Sequence, residues 1–599
     1  MDSPDPSIRY ENVLILESRD WWEGCRESFR PDADLVLTYD MGLLRDIHAL
    51  GGRAFYVDHL VNNAMMQENN FLIYEYFRNW HLDRDRDDIF TYRGVPFGLS
   101  FRLYIWDVFV FYIRARICLQ ELAQLKYQGL FVGTQQGIVE SILTRMAIPF
   151  SVVGPMPQAR RSTYFFPNFK WRDEKSGRTS LPYRIADVLM AFQGVVMSWV
   201  DMLPRFGRPK PVVFVQEYHP TREIIRHLRK DPALRVVHAT FSRLPRPTRY
   251  IPILRPASSY QDVARTLLTA WAEKQVVRLV LSNGLDITDG VRQVIMDRVA
   301  PLLPEVLRDL DSVISYVDRH PIDLEILIGN IGKVAPLVDA VCRSKGTPSY
   351  LIINGLLTSA FLDEAKYATV INAYSISIKE NYFRGMSNIV CLGDPRMDDY
   401  ALSPQHQINR LAPTITIGAS GHNNTDLNSY LAVEFEFMFG TLTALAACKA
   451  QGRISRIIIK VRPNGYKAQY MSLVDEYFPG LVDEVLDNIP MKQVLDRTDL
   501  YISIYSQTVF EASCLGVPCL YYKKDTEFID PPFDGKSELV TATSTEDLIA
   551  AIADFYDGHP RFESFLEKQT MEKYIGPLDG RNLERNLNYI YNRLGQTAL

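Results

Sequence analysis

The feature that most constrains this chain is an alternation of short apolar, β-rich runs with segments of helical periodicity, which continues along all 599 residues. Such alternation is typical of parallel sheets covered by helices, because each strand must be followed by a helical crossover. In the C-terminal third it predicts a weak strand near Val485 and five clear ones, at Thr414–Ile417, Ile457–Val461, Leu500–Ile504, Pro518–Tyr522 and Glu538–Thr541. The predicted fold class is therefore α/β, with doubly wound parallel sheets.

The rest of the chain follows the same alternation. The middle third predicts strands at Val212–Val215, Val236–Ala239, Val277–Leu281, Glu325–Ile328, Ser349–Ile353 and Ile389–Leu392. The first third predicts strands at Val13–Leu16, Asp34–Thr38, Ala54–Val57, Gly129–Val132 and Phe150–Val153. Turn-rich segments at 203–211 and 391–400 mark boundaries between these thirds. We therefore expect an α/β region of uncertain role (1–205), a Rossmann-like unit (206–395) and a second Rossmann-like unit with a C-terminal helix (396–599).

The charge, the cysteine spacing and the apolar stretches of the chain limit the classes of protein to which it can belong. The chain has 66 basic and 71 acidic residues, a net charge of -5, which argues against a general nucleic-acid binder. Its seven cysteines contain no C-x-x-C pair, which is typical of reduced intracellular thiols. The N-terminus lacks the pattern of a signal peptide, and no apolar stretch is a good membrane span. We expect a cytoplasmic protein, with peripheral contact at the inner face of a membrane as the alternative.

The strongest local signal is the segment DLYISIYSQTVFEASCLGVPCL, residues 499–520. Ligands of doubly wound sheets bind beyond the carboxyl ends of the strands. Ser506, Gln507 and Thr508 follow such a strand at the start of a helix, where free N–H groups suit a phosphate. Glu511 lies about one turn further and can accept hydrogen bonds from ribose hydroxyls. The alternative is a simple helix cap followed by a solvated glutamate.

This segment resembles the donor-binding domain of GT-B glycosyltransferases. The resemblance rests on S-x-T-x-x-E-A-x-x-x-G-x-P, which runs from Ser506 to Pro518. It implies that the helix start binds the donor phosphates and that Glu511 binds the ribose. It is similar above all to bacterial CMP-sugar transferases of the Kdo and sialic-acid type and to CDP-glycerol glycerophosphotransferases. These carry a basic-Pro motif, which corresponds to Lys460 and Arg462 here, and a Ser-rich turn that begins at Ser503.

A second loop is expected to face the same ligand. The segment ITIGASGHNNTD, residues 415–426, follows a predicted strand and precedes a long helix. Gly418 and Ser420 would let the backbone approach a ligand closely, and His422 would supply hydrogen-bond donors. An ordinary polar turn is the alternative, because the segment lacks a complete phosphate-binding motif.

The acceptor side needs a base. Glu217 and His219 follow a predicted strand in VVFVQEYHPTR, and either side chain could take a proton from an acceptor hydroxyl. Asp286 is a rival base, and for all three an ordinary solvated loop is the alternative. No metal site is expected, because the D-x-D patterns at 83–88 lie in an alternately charged run and the histidines lack metal-ligand spacing.

Together these observations predict a metal-independent GT-B-type glycosyltransferase. It would move a sugar from a nucleotide donor, with a CMP-sugar favoured, onto a surface polysaccharide or a lipid-linked glycan. The nucleotide-sugar would be a substrate, and no cofactor is expected. The alternatives are a glycerophosphotransferase of the CDP-glycerol type, a nucleotide-sugar epimerase of the same fold, and a non-catalytic glycan-binding scaffold.

Overall fold

The computed structural model describes most of the chain. The described residues are 3–61, 63–134, 137–153, 210–239, 256–329, 334–353, 368–419, 433–453, 456–462, 467–524 and 530–596, together with the single positions 189, 192 and 196. They form three parallel sheets and one two-stranded hairpin.

The first sheet has the order β3-β2-β1-β6-β7, and all its strands are parallel. Its strands are β1 (Arg9–Leu16), β2 (Leu35–Thr38), β3 (Arg53–Tyr56), β6 (Lys126–Gly133) and β7 (Ser151–Val152). The hairpin pairs β4 (Thr91–Tyr92) with β5 (Val95–Pro96). The longer helices of this region are Met41–Ala49, Asn63–Asn79, Arg102–Gln120 and Ile138–Arg145.

The middle sheet has the order β13-β12-β11-β10-β8-β9, again with parallel pairing. Its strands are β8 (Val212–Gln216), β9 (Arg235–Ala239), β10 (Leu324–Leu327), β11 (Ser349–Ile352), β12 (Val370–Asn372) and β13 (Ile389–Val390). Its helices are Arg222–Leu228, Gln261–Lys274, Thr288–Arg319, Ala335–Ser344 and Ile376–Tyr382.

The third sheet has the order β16-β15-β14-β17-β18-β19, which is the 3-2-1-4-5-6 order of a Rossmann fold. Its strands are β14 (Thr414–Gly418), β15 (Arg456–Lys460), β16 (Glu484–Leu486), β17 (Leu500–Ser503), β18 (Cys519–Tyr522) and β19 (Val540–Ala542). Its main helices are Val433–Ala450, Lys467–Tyr477, Met491–Leu495, Thr508–Cys514, Thr545–Tyr556, Lys568–Ile575 and Asn582–Arg593. All six strands predicted for this region are confirmed.

The middle region departs from the sequence-based prediction at two strands. Val277–Leu281 was wrongly predicted as a strand, since among the described residues its only β-pairing is an isolated bridge from Val280 to Asp286. Leu279 and Leu281 are instead buried in a core shared with the helices around them. The strand β12 (Val370–Asn372) was not predicted, because only three residues of it pair.

The helix Thr288–Arg319 has 32 residues and continues through Pro301 and Pro304. Its buried leucines, among them Leu303, Leu307 and Leu310, pack into the same core as the first sheet. Burial of each such side chain is worth about 1.5–3 kcal/mol, which offsets the helix hydrogen bonds that the prolines remove.

The C-terminal helix Asn582–Arg593 returns to the middle sheet. Nδ2 of Asn372 in β12 donates a 3.0 Å hydrogen bond to Oδ1 of Asn586. At the far end of this helix, the hydroxyl of Tyr591 donates to Asp231 at 2.9 Å. The last helix thus links the third sheet to the second, and the predicted α/β class, with two Rossmann-like units and an additional N-terminal α/β region, is confirmed. Among the described residues, no helix has both the length and the apolar character needed to cross a bilayer.

Candidate functional site

The candidate site lies where the carboxyl ends of the second and third sheets approach each other. The short turn His219–Thr221 follows β8, and it contacts the turn Pro395–Met397, which lies between the two units. Arg462 follows β15 and is exposed. Gln507, which follows β17 in the third sheet, accepts a hydrogen bond from Arg396 at 2.9 Å, so groups from both sheets meet at this turn.

His219 is positioned by a hydrogen-bonded turn. The N–H of Tyr218 donates to Oγ1 of Thr221 at 3.0 Å, and that hydroxyl donates to the carbonyl of Gln216 at 2.6 Å. The centre of the His219 ring lies 4.9 Å from the centre of the Tyr218 ring. Partial burial, followed by the charges of Arg222, Arg396 and Arg462, lowers the pKa of His219 to about 4. The imidazole is therefore neutral at pH 7 and able to accept a proton.

Glu217, the other predicted base of this loop, is half-buried directly after β8. The neighbouring Gln216 is fully buried, and its Oε1 accepts a 3.0 Å hydrogen bond from the backbone N–H of Ile328. This bond ties the end of β8 to the end of β10, so that Glu217 and His219 leave the sheet at a fixed point.

Arg396 belongs to the site, although the sequence did not single it out. Its Nη2 donates to Asp394 at 2.7 Å and to Oε1 of Gln507 at 2.9 Å. Nε2 of Gln507 donates to Oδ2 of the same Asp394 at 2.7 Å, which closes a three-residue network. Asp394 is fully buried. In the sequence, the oppositely charged Asp394 and Arg396 flank Pro395, and this pair could have indicated a site. Gln507 is 111 positions further along the chain than Arg396, and only the folded structure brings the two together.

Glu511 is also engaged by the segment between the units. The hydroxyl of Tyr400 donates to its Oε2 at 2.8 Å. Burial raises the pKa of Glu511, while the Tyr400 hydrogen bond and the charge of Arg396 oppose that rise. Glu511 is half-buried rather than the solvated residue of the alternative interpretation.

The hydroxyl groups of Tyr501, Ser506 and Thr508 are linked by hydrogen bonds at the start of the helix Thr508–Cys514. Oγ1 of Thr508 lies 2.7 Å from Oγ of Ser506 and 2.5 Å from the hydroxyl of Tyr501. Ser503 is fully buried, and its hydroxyl donates to the carbonyl of Ile504 at 2.5 Å. The Ser503 side chain therefore belongs to the buried end of β17, whereas the side chains of Ser506 and Thr508 are half-buried and partly accessible.

The two basic residues after β15 differ in role. The ammonium group of Lys460 donates to the carbonyls of Val461 at 2.6 Å and Asp487 at 2.8 Å, and burial lowers its pKa. It thus joins the ends of β15 and β16. Arg462, two residues later, is exposed.

Gly418 has a packing reason to be glycine. A Cβ at this position would lie 1.9 Å from the hydroxyl of Tyr501 on the neighbouring strand. The tight approach of β14 to Tyr501 therefore accounts for this glycine without a ligand. Ser420 and His422 lie outside the described residues.

Asp286 lies at another place in the fold. Its Oδ1 accepts a 3.0 Å hydrogen bond from the N–H of Thr288 at the start of the long helix, and its carboxylate pairs with Arg278. The hydrogen bond from Thr288, followed by that from Arg278, lowers the pKa of Asp286 to about 2. Among the described contacts, none joins Asp286 to His219 or Arg462. Among all the residues that the structure describes, no three His, Cys, Asp or Glu side chains are arranged to bind a metal ion.

Comparison with known proteins gives structural likeness only. No protein-family model matches the chain, and no curated protein matches it in sequence. Among solved structures, Staphylococcus aureus MnaA with UDP aligns with 65% of this chain and 97% of its own, at 12% identity and a TM-score of 0.42.

Two further structures show the range of these likenesses. The Methanocaldococcus jannaschii UDP-GlcNAc 2-epimerase, in complex with UDP-GlcNAc and UDP, covers 64% of this chain and 99% of its own, at 12% identity and a TM-score of 0.39. A glycosyltransferase from Rickettsia africae covers 65% and 99%, at 10% identity and a TM-score of 0.35. Likeness at this level carries no argument about what this chain binds or does.

Proposed function

We propose that this chain is a nucleotide-sugar glycosyltransferase whose reaction takes place between the second and third sheets. The observation that carries the proposal is the contact between the turn that bears His219 and the turn that bears Arg396, which Gln507 of the third sheet binds at 2.9 Å, at the carboxyl ends of two Rossmann-like sheets. In doubly wound folds this edge is where ligands bind. Two guanidinium groups suit a phosphate, because each can donate paired, charge-assisted hydrogen bonds.

In the proposed reaction, Arg462 and Arg396 bind the phosphate of the donor and stabilise the charge that develops as it leaves. His219 accepts the proton of the acceptor hydroxyl through a ring nitrogen. The acceptor oxygen forms a bond to the anomeric carbon, and the bond from that carbon to the phosphate oxygen breaks. The bonding electrons leave with the nucleotide. The motif at 506–518 supports placing the nucleotide near Ser506, Thr508 and Glu511.

The finer features of the proposal follow the motif resemblance. A CMP-sugar is the proposed donor, and a surface polysaccharide or a lipid-linked glycan is the proposed acceptor, with peripheral contact at the inner face of the membrane. Ser420 and His422, which follow β14 in the sequence, remain candidates for donor contacts. Lys460 is proposed to position the loop that carries Arg462, since its ammonium group already binds two carbonyls.

A thermal-shift panel of CMP, CDP, UDP, GDP and ADP tests nucleotide binding, because a ligand that binds the native state raises its melting temperature. Arg462→Gln should weaken the binding of the best nucleotide by about 1.5–3 kcal/mol, the value of hydrogen bonds to a charged group. Arg456→Gln is the matched control, because Arg456 lies at the opposite end of the same strand. No shift with any nucleotide would contradict the proposal and favour a non-catalytic scaffold.

Turnover then separates the enzyme classes. With the matching nucleotide-sugar, a glycosyltransferase releases the nucleotide only when a glycan acceptor is present. Conversion of the sugar without an acceptor would instead indicate an epimerase, and transfer of glycerol phosphate from CDP-glycerol would indicate a glycerophosphotransferase. His219→Gln should reduce kcat by about 10²–10⁴-fold, as loss of a general base does, while nucleotide affinity is retained.

A further inference from the structure

The apolar run at residues 277–281 is an extended segment that is hydrogen-bonded along one edge. The carbonyl of Leu279 accepts a 3.0 Å hydrogen bond from the N–H of Ile287. The N–H of Leu281 donates to the carbonyl of Leu285 at 2.9 Å. In an extended chain the backbone groups of alternate residues point to the same side, so both of these bonds lie along one edge of the segment.

The opposite edge of the segment carries backbone groups without a partner. Among the described residues, no hydrogen bond reaches the N–H or the C=O group of Arg278 or of Val280. Both side chains are exposed, and that of Val280 is 37% exposed. Open donors and acceptors along an extended segment form a template on which another chain can pair as a strand. An added strand would give this strand-like run the second neighbour that it lacks.

The segment borders a groove of about 270 Å³. One wall is formed by residues 277–280, and the other belongs to the helix Asn63–Asn79. The residues that this helix contributes are Leu72, Glu75, Tyr76 and Asn79. The N–H of Ser282, two positions after Val280, donates a 2.7 Å hydrogen bond to the side chain of Asn69 on the same helix. The helix therefore lies on the side to which the open backbone groups point.

This geometry selects the kind of partner. A strand edge that faces a helix across a groove suits a single extended peptide, which pairs with the edge through its main chain. A second globular copy of the chain would meet the wall formed by the helix Asn63–Asn79 before its own strand reached the edge. The structure thus favours a peptide over a dimer contact at this surface.

The charges at the groove favour a basic peptide. Glu75 and Asp83 line it, and in the described part of the chain neither carboxylate forms an ion pair. The guanidinium of Arg278 is neutralised by Asp286, with which it pairs. Arg86 also lines the groove, so the unpaired groups leave an excess of negative charge. A lysine or arginine on the peptide would be attracted by this charge, through an interaction that salt weakens.

We propose that the groove between residues 277–280 and the helix Asn63–Asn79 binds an extended peptide segment of a partner protein, and that this segment carries a basic side chain. The peptide adds a strand, because its N–H and C=O groups pair with those of Arg278 and Val280. Its basic side chain faces Glu75. The proposed reaction does not use this surface, so binding requires neither a nucleotide nor a glycan.

The experiment selects short linear peptides from a display library on the full-length protein. The selected peptides should combine β-branched residues with a lysine or an arginine. A synthetic copy of the strongest binder is then titrated by fluorescence anisotropy. Hydrogen exchange of residues 276–282 should slow by about tenfold or more when it binds, since open amides gain partners.

Chemical variants of the peptide test strand pairing. Two versions carry N-methyl groups at alternate residues, in the two possible registers. Only one register places the methyl groups against the edge, so one version should lose binding and the other should keep it. A loss of binding in neither version, or the same loss in both, would overturn the proposal.

Matched protein variants locate the peptide. Glu75→Lys should weaken binding by about tenfold or more, because like charges then face each other. Glu273→Lys changes an exposed glutamate on the helix Gln261–Lys274 and should bind as the wild type does. Val280→Pro removes one N–H of the open edge and should abolish binding at an unchanged melting temperature. If Val280→Pro does not fold, the Glu75 variant decides. Failure to select any peptide, or full affinity in Glu75→Lys, would overturn the proposal.

Discussion

The hydroxyl of Tyr400 donates a 2.8 Å hydrogen bond to Oε2 of Glu511, across 111 positions of sequence. The bond joins the segment between the two Rossmann-like units to the helix Thr508–Cys514. Glu511 is the residue that the motif resemblance associates with the ribose of the donor, so its carboxylate has a packing partner and a proposed ligand at the same time. A substitution at Glu511 therefore tests two roles, which a second substitution must separate.

The Glu511 series should show both roles. Glu511→Gln keeps an oxygen that accepts from Tyr400, whereas Glu511→Ala loses it. Nucleotide affinity should fall in the order wild type, Gln, Ala, with a total loss of about 1.5–3 kcal/mol. Melting temperature and nucleotide affinity are measured on each protein.

Tyr400→Phe is the control for the Glu511 series. It should lower stability by about 1.5 kcal/mol, as loss of a hydrogen bond to a carboxylate does, and leave nucleotide affinity close to wild type. If nucleotide affinity is instead the same in wild type, Glu511→Gln and Glu511→Ala, then Glu511 has only the packing role.

Glu325 should make stability depend on pH. It is fully buried in β10, and among the described residues neither carboxylate oxygen has a hydrogen-bond partner. Burial, and then the neighbouring Asp339, raise the pKa of Glu325 well above its ordinary value. Between the unfolded value of about 4.5 and the native value, the native state binds more protons, so this contribution to stability is lost as the pH rises.

The prediction is that Glu325→Gln removes this loss. The difference in melting temperature between Glu325→Gln and wild type should be small at pH 5 and should shift in favour of the variant at pH 8. Glu567→Gln, at an exposed glutamate, should show no such trend. A pH-independent difference for Glu325→Gln would mean that this carboxyl group is ionised in the native protein.

The N-terminal region should be energetically coupled to the third sheet. Tyr56 is the last residue of β3, and its hydroxyl donates to Glu436 at 2.6 Å. Arg45 binds the same carboxylate at 3.2 Å. The Arg45 guanidinium lies 3.4 Å from the centre of the Phe439 ring. Because these contacts join the first and third sheets, they should resist separation of the two regions.

A double-mutant cycle of Tyr56→Phe and Glu436→Gln measures this coupling. Tyr56→Phe should cost about 1.5 kcal/mol of stability in the wild-type background and clearly less in Glu436→Gln, with a coupling energy of about 1 kcal/mol. Urea unfolding followed by fluorescence gives the four free energies. Additive losses would show that the contact contributes nothing to the stability of this interface.

Turnover should survive chelation. Guanidinium groups at 396 and 462 are proposed to stabilise the leaving phosphate, so the reaction should not require a divalent cation. The rate is measured with a nucleotide-sugar donor and acceptor before and after treatment with EDTA. A complete loss that Mg²⁺ or Mn²⁺ restores would contradict the metal-independent mechanism.

The pattern of short apolar runs that end at turn residues predicted much of the fold. Every strand of the third sheet is visible in the sequence, because buried parallel strands are continuous apolar runs that end at turn residues, as in RIIIK of β15. The same criterion failed at Val277–Leu281, an equally apolar run whose leucines are buried against helices instead of a neighbouring strand. Apolar runs report burial, and burial alone does not distinguish a strand from an extended segment.

For the site, the sequence determined which polar residues follow each strand: His219 after β8, Arg462 after β15 and Gln507 after β17. Only the tertiary structure decided which of them meet, since Arg396 is held by Gln507 and the turn that bears Arg396 contacts the turn that bears His219. It also showed that Asp286 accepts a hydrogen bond from the N–H of Thr288, at the start of a helix elsewhere in the fold. The physical reason is range: strand and helix patterns arise between residues a few positions apart, whereas charge and hydrogen bonding act through space between residues more than a hundred positions apart.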